Sequence, residues 1–140
     1  MTRRDRDRGG ERGLALVWVL AVTMLVIVPL GGVSMDLWRV FAAHRSMAAV
    51  ADNAAQAGAN GIDVDRARVG VIILDPGRAE TIAGQVLAAS PPRVPGAVSQ
   101  VVASPARVVV RVSGRVRTPL LALVGVASID VAVSAVGEPG

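Results

Sequence analysis

From Leu14 to Met35 the chain runs 22 residues without a charge. A bilayer core ~30 Å thick needs about 20 helical residues to cross it. A water-facing helix of that length would show a polar face, and none is present here. The run therefore reads as a transmembrane anchor over residues 14–35, preceded by a basic segment over residues 1–13. That segment holds five Arg and three acids by residue 12. Arg39 and Arg45 follow the run more sparsely, so the positive-inside rule expects a cytoplasmic amino terminus and an extracytoplasmic body. The expectation is a single-pass protein of the cell membrane. A secretory signal would have a shorter apolar stretch and an Ala-x-Ala site, which the run lacks.

The composition narrows the function classes. The sequence pI of 11.4 suggests a nucleic-acid binder, but it reflects which groups titrate. All basic residues are Arg, and the chain has no Cys and no Tyr. Residues 36–140 carry ten Arg against eight acids, far from a phosphate-binding face. Three aromatics, Trp18, Trp38 and Phe41, cannot build a base-stacking platform. Nucleic acid is not expected as a partner. Zero Cys excludes disulfides and thiolate metal sites.

Past the anchor, helical signals continue without a break. Leu37, Val40, Phe41, His44, Met47, Ala48, Ala51, Ala55 and Gly58 recur at steps of three and four, and predict one inward stripe. The first stop signal is the "GANGID" stretch, with Gly58, Asn60 and Gly61 in capping positions. Residues 36–60 are thus an Ala-rich helix continuous with the anchor, and Pro29 with Gly31 and Gly32 is the expected place for a bend. Asp36 and Arg39 are placed to pair at i, i+3. Ala51, Ala54, Ala55 and Gly58 form a small-residue face that lets a second backbone approach closely, from the outer domain or a neighbouring subunit.

Residues 61–140 read as a small α+β domain: one sheet with one or two short helices. "VGVIIL" (69–74) is a β-branched run ended by the turn Asp75-Pro76-Gly77. "GRAETIAGQVLAAS" is an amphipathic helix with Ile82, Val86, Leu87 and Ala89 as its core candidates. "AVSQVVAS" and "ARVVVRVSGRVR" are strands joined near Ser104-Pro105. In the second, Val108, Val110, Val112 and Val116 alternate with Arg107, Val109, Arg111, Ser113, Arg115 and Arg117, the period-two mark of a half-buried strand. "TPLLALVG" is a short helix with Pro119 in its first turn. "ASIDVAVSAV" closes the sheet with Ile129, Val131 and Val133 on one side.

Candidates for chemistry are few. His44 lies on the predicted apolar stripe without a nucleophile pattern beside it. Asp63 and Asp65 share a loop with Arg66 and Arg68, a solvated turn rather than a cation site. Arg107, Arg111, Arg115 and Arg117 share one strand face, which either blocks edge aggregation or meets an anionic partner. No phosphate loop or metal-ligand cluster is present. Neither enzyme activity nor a cofactor is expected, and a small-molecule ligand is not expected.

Arg12-Gly13, the apolar run, "MDLWRVFAAHRSMAAVADNAAQAGA" and its Asp36/Arg39 pair resemble the amino-terminal segment of TadE/TadG-like proteins of Flp (tight adherence) pilus assembly. The actinobacterial branch is the most similar, and the likeness covers roughly residues 10 to 62. It implies a membrane-anchored, pilin-like accessory or minor component of a Tad-type pilus or secretion apparatus, with other pilus-assembly or pilin-like subunits as partners. The alternative is a signal-anchored cell-envelope domain that binds an anionic ligand through its Arg-rich strand face. In pseudopilins of the family, cleavage follows a Gly and a Glu stands at the fifth mature position. With Gly13 as the cleavage residue, that position is Trp18, a departure that favours the unprocessed TadG-like members. Intact mass of the membrane-purified protein is therefore expected to show an uncut or slightly trimmed chain. A start at Leu14 would instead make it a processed pseudopilin.

Overall fold

A computed structural model describes residues 4–139, with side chains from Leu14 onward except Val124. The basic segment expected over residues 1–13 thus lies outside the described side chains. The long helix α1 runs Arg4–Ala59 and contains Pro29 without interruption. Its 56 residues rise about 84 Å at ~1.5 Å each. Local side-chain bonds accompany the apolar run: Thr23 Oγ1 donates to the Val19 carbonyl at 2.7 Å and Ser34 Oγ to Leu30 at 3.0 Å. The apolar part is a candidate membrane span, none of it buried within the protein.

The rest is an α+β domain built on the carboxy-terminal half of α1. Asp63 caps the four-residue helix α2 (Val64–Ala67), and Asp75 caps α3 (Pro76–Ala89) by accepting from the Gly77 and Arg78 amides. Pro76 sits in the first turn of α3, where its missing N–H costs nothing. Three strands follow: β1 (Val98–Ser104), β2 (Arg107–Arg117) and β3 (Ser128–Gly137). They form an antiparallel meander in the order β1-β2-β3. Val101 faces Val110, and Val110 faces Ala135, across the register. Both α1 and α3 lie against the sheet and against each other. Val108, Val110 and Val112 of the central strand are completely buried between these layers, with Met47, Ala51 and Ala54 of α1 and Ala79 and Ala83 of α3.

The layers approach closely because small residues line their contacts. A Cβ at Gly58 would lie 3.1 Å from the Ala79 carbonyl and 3.2 Å from both Ala83 Cβ and Val108. A Cβ at Gly137 would overlap the backbone carbonyl of Ala55. Only glycine lets β3 cross the helix this near.

Four local expectations need correction. Gly58 does not cap α1 but is buried inside its last turn, and the helix closes at Ala59 through turn bonds to Asn60 and Gly61. Residues 69–74 form no strand; Ile62 and Leu74 make an isolated bridge, and Val69, Val71 and Ile72 are exposed. Their β-propensity has no neighbouring strand to satisfy, and Leu74 alone turns into the core. On α3 the inward row is Ala79, Ala83 and Leu87, while Ile82 is half-buried and Ala89 exposed. Alanines face in because α3 lies so near Gly58. On α1 the inward row is Asp36, Val40, Ala43, Met47, Ala51, Ala54 and Gly58. Leu37, Phe41 and His44, placed on the buried stripe by spacing, are exposed one position round the helix.

Ala55 is buried and Gln56 exposed. Ala55→Leu is therefore expected to destabilise the domain by ~1–3 kcal/mol, the usual cost of overpacking. Gln56→Leu should stay within ~0.5 kcal/mol. Protease resistance in the membrane, measured for both variants, checks this; equal tolerance would contradict the packing.

Candidate functional site

Among the described residues, the one buried carboxylate stands where the apolar run ends. Asp36 is 0% exposed. Its Oδ2 accepts from the Leu120 amide at 2.7 Å and the Leu121 amide at 2.8 Å. Those N–H groups open the 3-10 turn Leu121–Val124, which has no side-chain cap of its own. The first N–H groups of any helical turn lack internal partners, so a carboxylate there resolves two deficits at once. Oδ1 makes no hydrogen bond and faces the Arg39 guanidinium at 3.6 Å. The i, i+3 pair expected from sequence is present, but it is the lesser of the two contacts.

The turn is tied at its base by Thr118, also fully buried. Its Oγ1 donates to the Val126 carbonyl at 2.7 Å, and its amide donates to Ala127 at 3.1 Å. Gly125 closes the turn at φ 94°, where a side chain would be strained. The turn touches α1 again at Gly32, where a Cβ would lie 3.0 Å from Leu120 Cδ1. So α1 and the end of β2 are joined at two adjacent points.

The predicted small-residue face, Ala51, Ala54, Ala55 and Gly58, is buried against α3, β2 and β3 of the same chain. The four arginines of β2 share an exposed sheet face but do not act as one group. Arg107 and Arg111 flank Val109, whose cross-strand neighbours are Val102 and Val136. Arg115 is held by Asp130, with Nε 2.7 Å from Oδ1 and the second nitrogen 3.3 Å from Oδ2. That hydrogen bond, then the attraction between the two opposite charges, holds the Asp130 carboxyl below the usual carboxylate range and Arg115 above its own. Any stability from Asp130 is present above its unfolded pKa near 3.8 and lost as pH falls through the lowered value. Both groups are exposed, so water screens the effect.

Arg117 belongs to a different feature. β1 starts at Val98, opposite Ser113, so residues 115–117 of β2 have no β1 neighbour. The loop 93–95 fills that position only in part. A groove of about 970 Å³ remains between it, β2 and the Arg39–Ser46 stretch of α1. Arg39, Arg93, Arg115 and Arg117 rim the groove, and Ala42, Ala43, Val94 and Val116 line its walls.

The remaining polar candidates are occupied structurally. Asp63 accepts from the Asp65 and Arg66 amides, and Asp65 pairs with Arg68 at 3.4 Å. His44 is exposed on α1. Among the described residues no group of three His, Cys, Asp or Glu is placed to hold a metal ion. No family model matches the chain, and neither a curated protein nor a solved structure matches it.

Sequence spacing did not reveal Asp36 as a clamp. One signal could have done so: a lone acid at the end of an apolar run, where a bare charge is costly. Asp36→Ala should leave both turn amides unsatisfied and cost ~2–4 kcal/mol. Hydrogen exchange is expected to rise selectively at residues 120–126. Arg39→Ala, at a half-exposed partner, should cost under ~1 kcal/mol. Unchanged exchange in Asp36→Ala would contradict the clamp.

Proposed function

We propose that the protein is a membrane-anchored, pilin-like accessory or minor component of a Tad-type pilus or secretion apparatus, non-catalytic, with its domain outside the cytoplasmic membrane. The observation that carries this reading is the unbroken helix α1. Its apolar half is a candidate span, and its outer half is the spine of a small antiparallel sheet. An anchor and a domain fused without a linker act as one lever, which suits a subunit that works by packing among other helices. The sequence likeness to TadE/TadG-like segments over residues 10 to 62 supports the same reading.

The packing mechanism takes a specific form. Ala51, Ala54, Ala55 and Gly58 are consumed inside the chain, so they hold the domain on its helix rather than joining subunits. Contacts between subunits then fall to the apolar half of α1 and to its exposed Leu37, Trp38 and Phe41. A photoreactive residue at Leu25 or Phe41 is expected to crosslink to other single-helix pilus subunits in native membranes, and one at Gln56 much less. Deletion of the gene should lower surface piliation or secretion several-fold. Full piliation without the protein, with no adduct at Leu25 or Phe41, would refute the proposal.

A further inference from the structure

Trp18 and Trp38 are exposed and lie twenty residues apart on one unbroken helix. At ~1.5 Å per residue they are about 30 Å apart along its axis. That is the thickness of a bilayer's hydrocarbon core, and Trp collects at both of its boundaries. A bilayer bracketed by these rings ends at Trp38, beyond the last uncharged residue Met35. Gly32 and Asp36 then lie below that boundary.

The contacts of Gly32 and Asp36 carry part of the domain to the same depth. Leu120 rests on Gly32, and the Leu120 and Leu121 amides bind Asp36. The 3-10 turn is therefore level with the end of the span. No charged residue occurs between Thr118 and Ser128. Leu123 is 85% exposed, and Val126 and Leu120 are partly exposed beside it. In water such a turn leaves apolar surface unburied; in a lipid leaflet that surface is satisfied. Directly beyond it stands the arginine-rimmed groove. Arg93 and Arg117 pair with no carboxylate among the described residues, and Arg39 is one turn past Asp36.

We propose that the 3-10 turn Leu121–Val124 is a second membrane contact seated in the leaflet beside α1, and that the groove next to it takes the phosphate of an anionic phospholipid between Arg39, Arg93 and Arg117. The proposal rests on α1 spanning the bilayer. Arg39, Arg93 and Arg117, from three segments, all border the groove, which lies at headgroup depth when α1 spans the bilayer, and its apolar walls suit the glycerol and upper acyl carbons.

The chain has no native Cys, so single cysteines can be labelled cleanly. The full chain would be placed in lipid nanodiscs with a nitroxide at Leu123→Cys, Val26→Cys or Val102→Cys. Labels at 26 and 123 are expected to meet oxygen and be shielded from a water-soluble nickel chelate, with 102 behaving oppositely. A label at 123 as open to nickel as that at 102, with 26 shielded, overturns the inference and leaves the span intact. A label at 26 open to nickel removes the span and the inference together. In mixed discs, native mass spectrometry is expected to show phosphatidylglycerol retained over phosphatidylcholine by on the order of tenfold. Arg93→Gln with Arg117→Gln should abolish the preference. Equal retention by the unaltered chain, a preference that survives the double substitution, or equally tight capture of inorganic phosphate in lipid-free detergent would each overturn the lipid assignment.

Discussion

A carboxylate buried at the end of an apolar helix governs how the rest of the molecule is arranged. Asp36 cannot be left bare there, since an uncompensated buried charge is costly. It is satisfied by two amides that lie 84 and 85 residues further along the chain. That bond sets the rotation of α1 about its axis. With Asp36 turned toward the 3-10 turn, Val40, Ala43, Met47, Ala51 and Ala54 follow toward the sheet at helical steps, while Leu37, Trp38 and Phe41 are turned away. It also sets the tilt of the domain, because a second contact at Gly32 lies one turn below.

The close packing further along α1 depends on that alignment. The sheet has one covered face, and a domain of this size gains little from its own core. The carboxy-terminal half of α1 supplies the missing layer. It can do so only at short range, because the strands carry valine on their inner face and the helix carries alanine. Large side chains on one layer meet small ones on the other, which keeps the interior dense. Gly58 and Gly137 mark where even a methyl group is too much.

Much of this was legible in the sequence. The alternation of Arg and Val in "ARVVVRVSGRVR" gives β2 and its inner face, and the small residues Ala51 to Gly58 give a close-approach surface. What covers that surface was not legible, since small residues suit α3 and a foreign helix equally well. Residues 69–74 have strand propensity, but a strand exists only where another pairs with it, and the Asp63 and Asp75 caps direct that segment into a loop between two helices. Spacing puts Leu37, Phe41 and His44 on the buried stripe of α1 only under the rule that apolar residues point inward. That rule belongs to helices surrounded by water. Beside an apolar span an outward Phe is no penalty, so the pattern loses its sign there. The Asp36 contact spans most of the chain, and no local pattern encodes it.

Fixing the rotation of α1 has a consequence for anything that packs against it. The side of the helix facing the sheet is closed from Asp36 to Ala59, and the opposite side, with Leu37, Trp38 and Phe41, is open over the same height as the arginine-rimmed groove's nearer end. A partner helix can therefore run along the full apolar half of α1 and continue one or two turns beyond Asp36 without meeting the domain. Had the chain placed a flexible linker after Met35, the domain would sample many positions and block that side part of the time. The unbroken helix and its packing on α3 and the sheet remove those positions. The Asp36 bond adds a fixed point at the end of the apolar run, and the side of α1 with Leu37, Trp38 and Phe41 stays exposed.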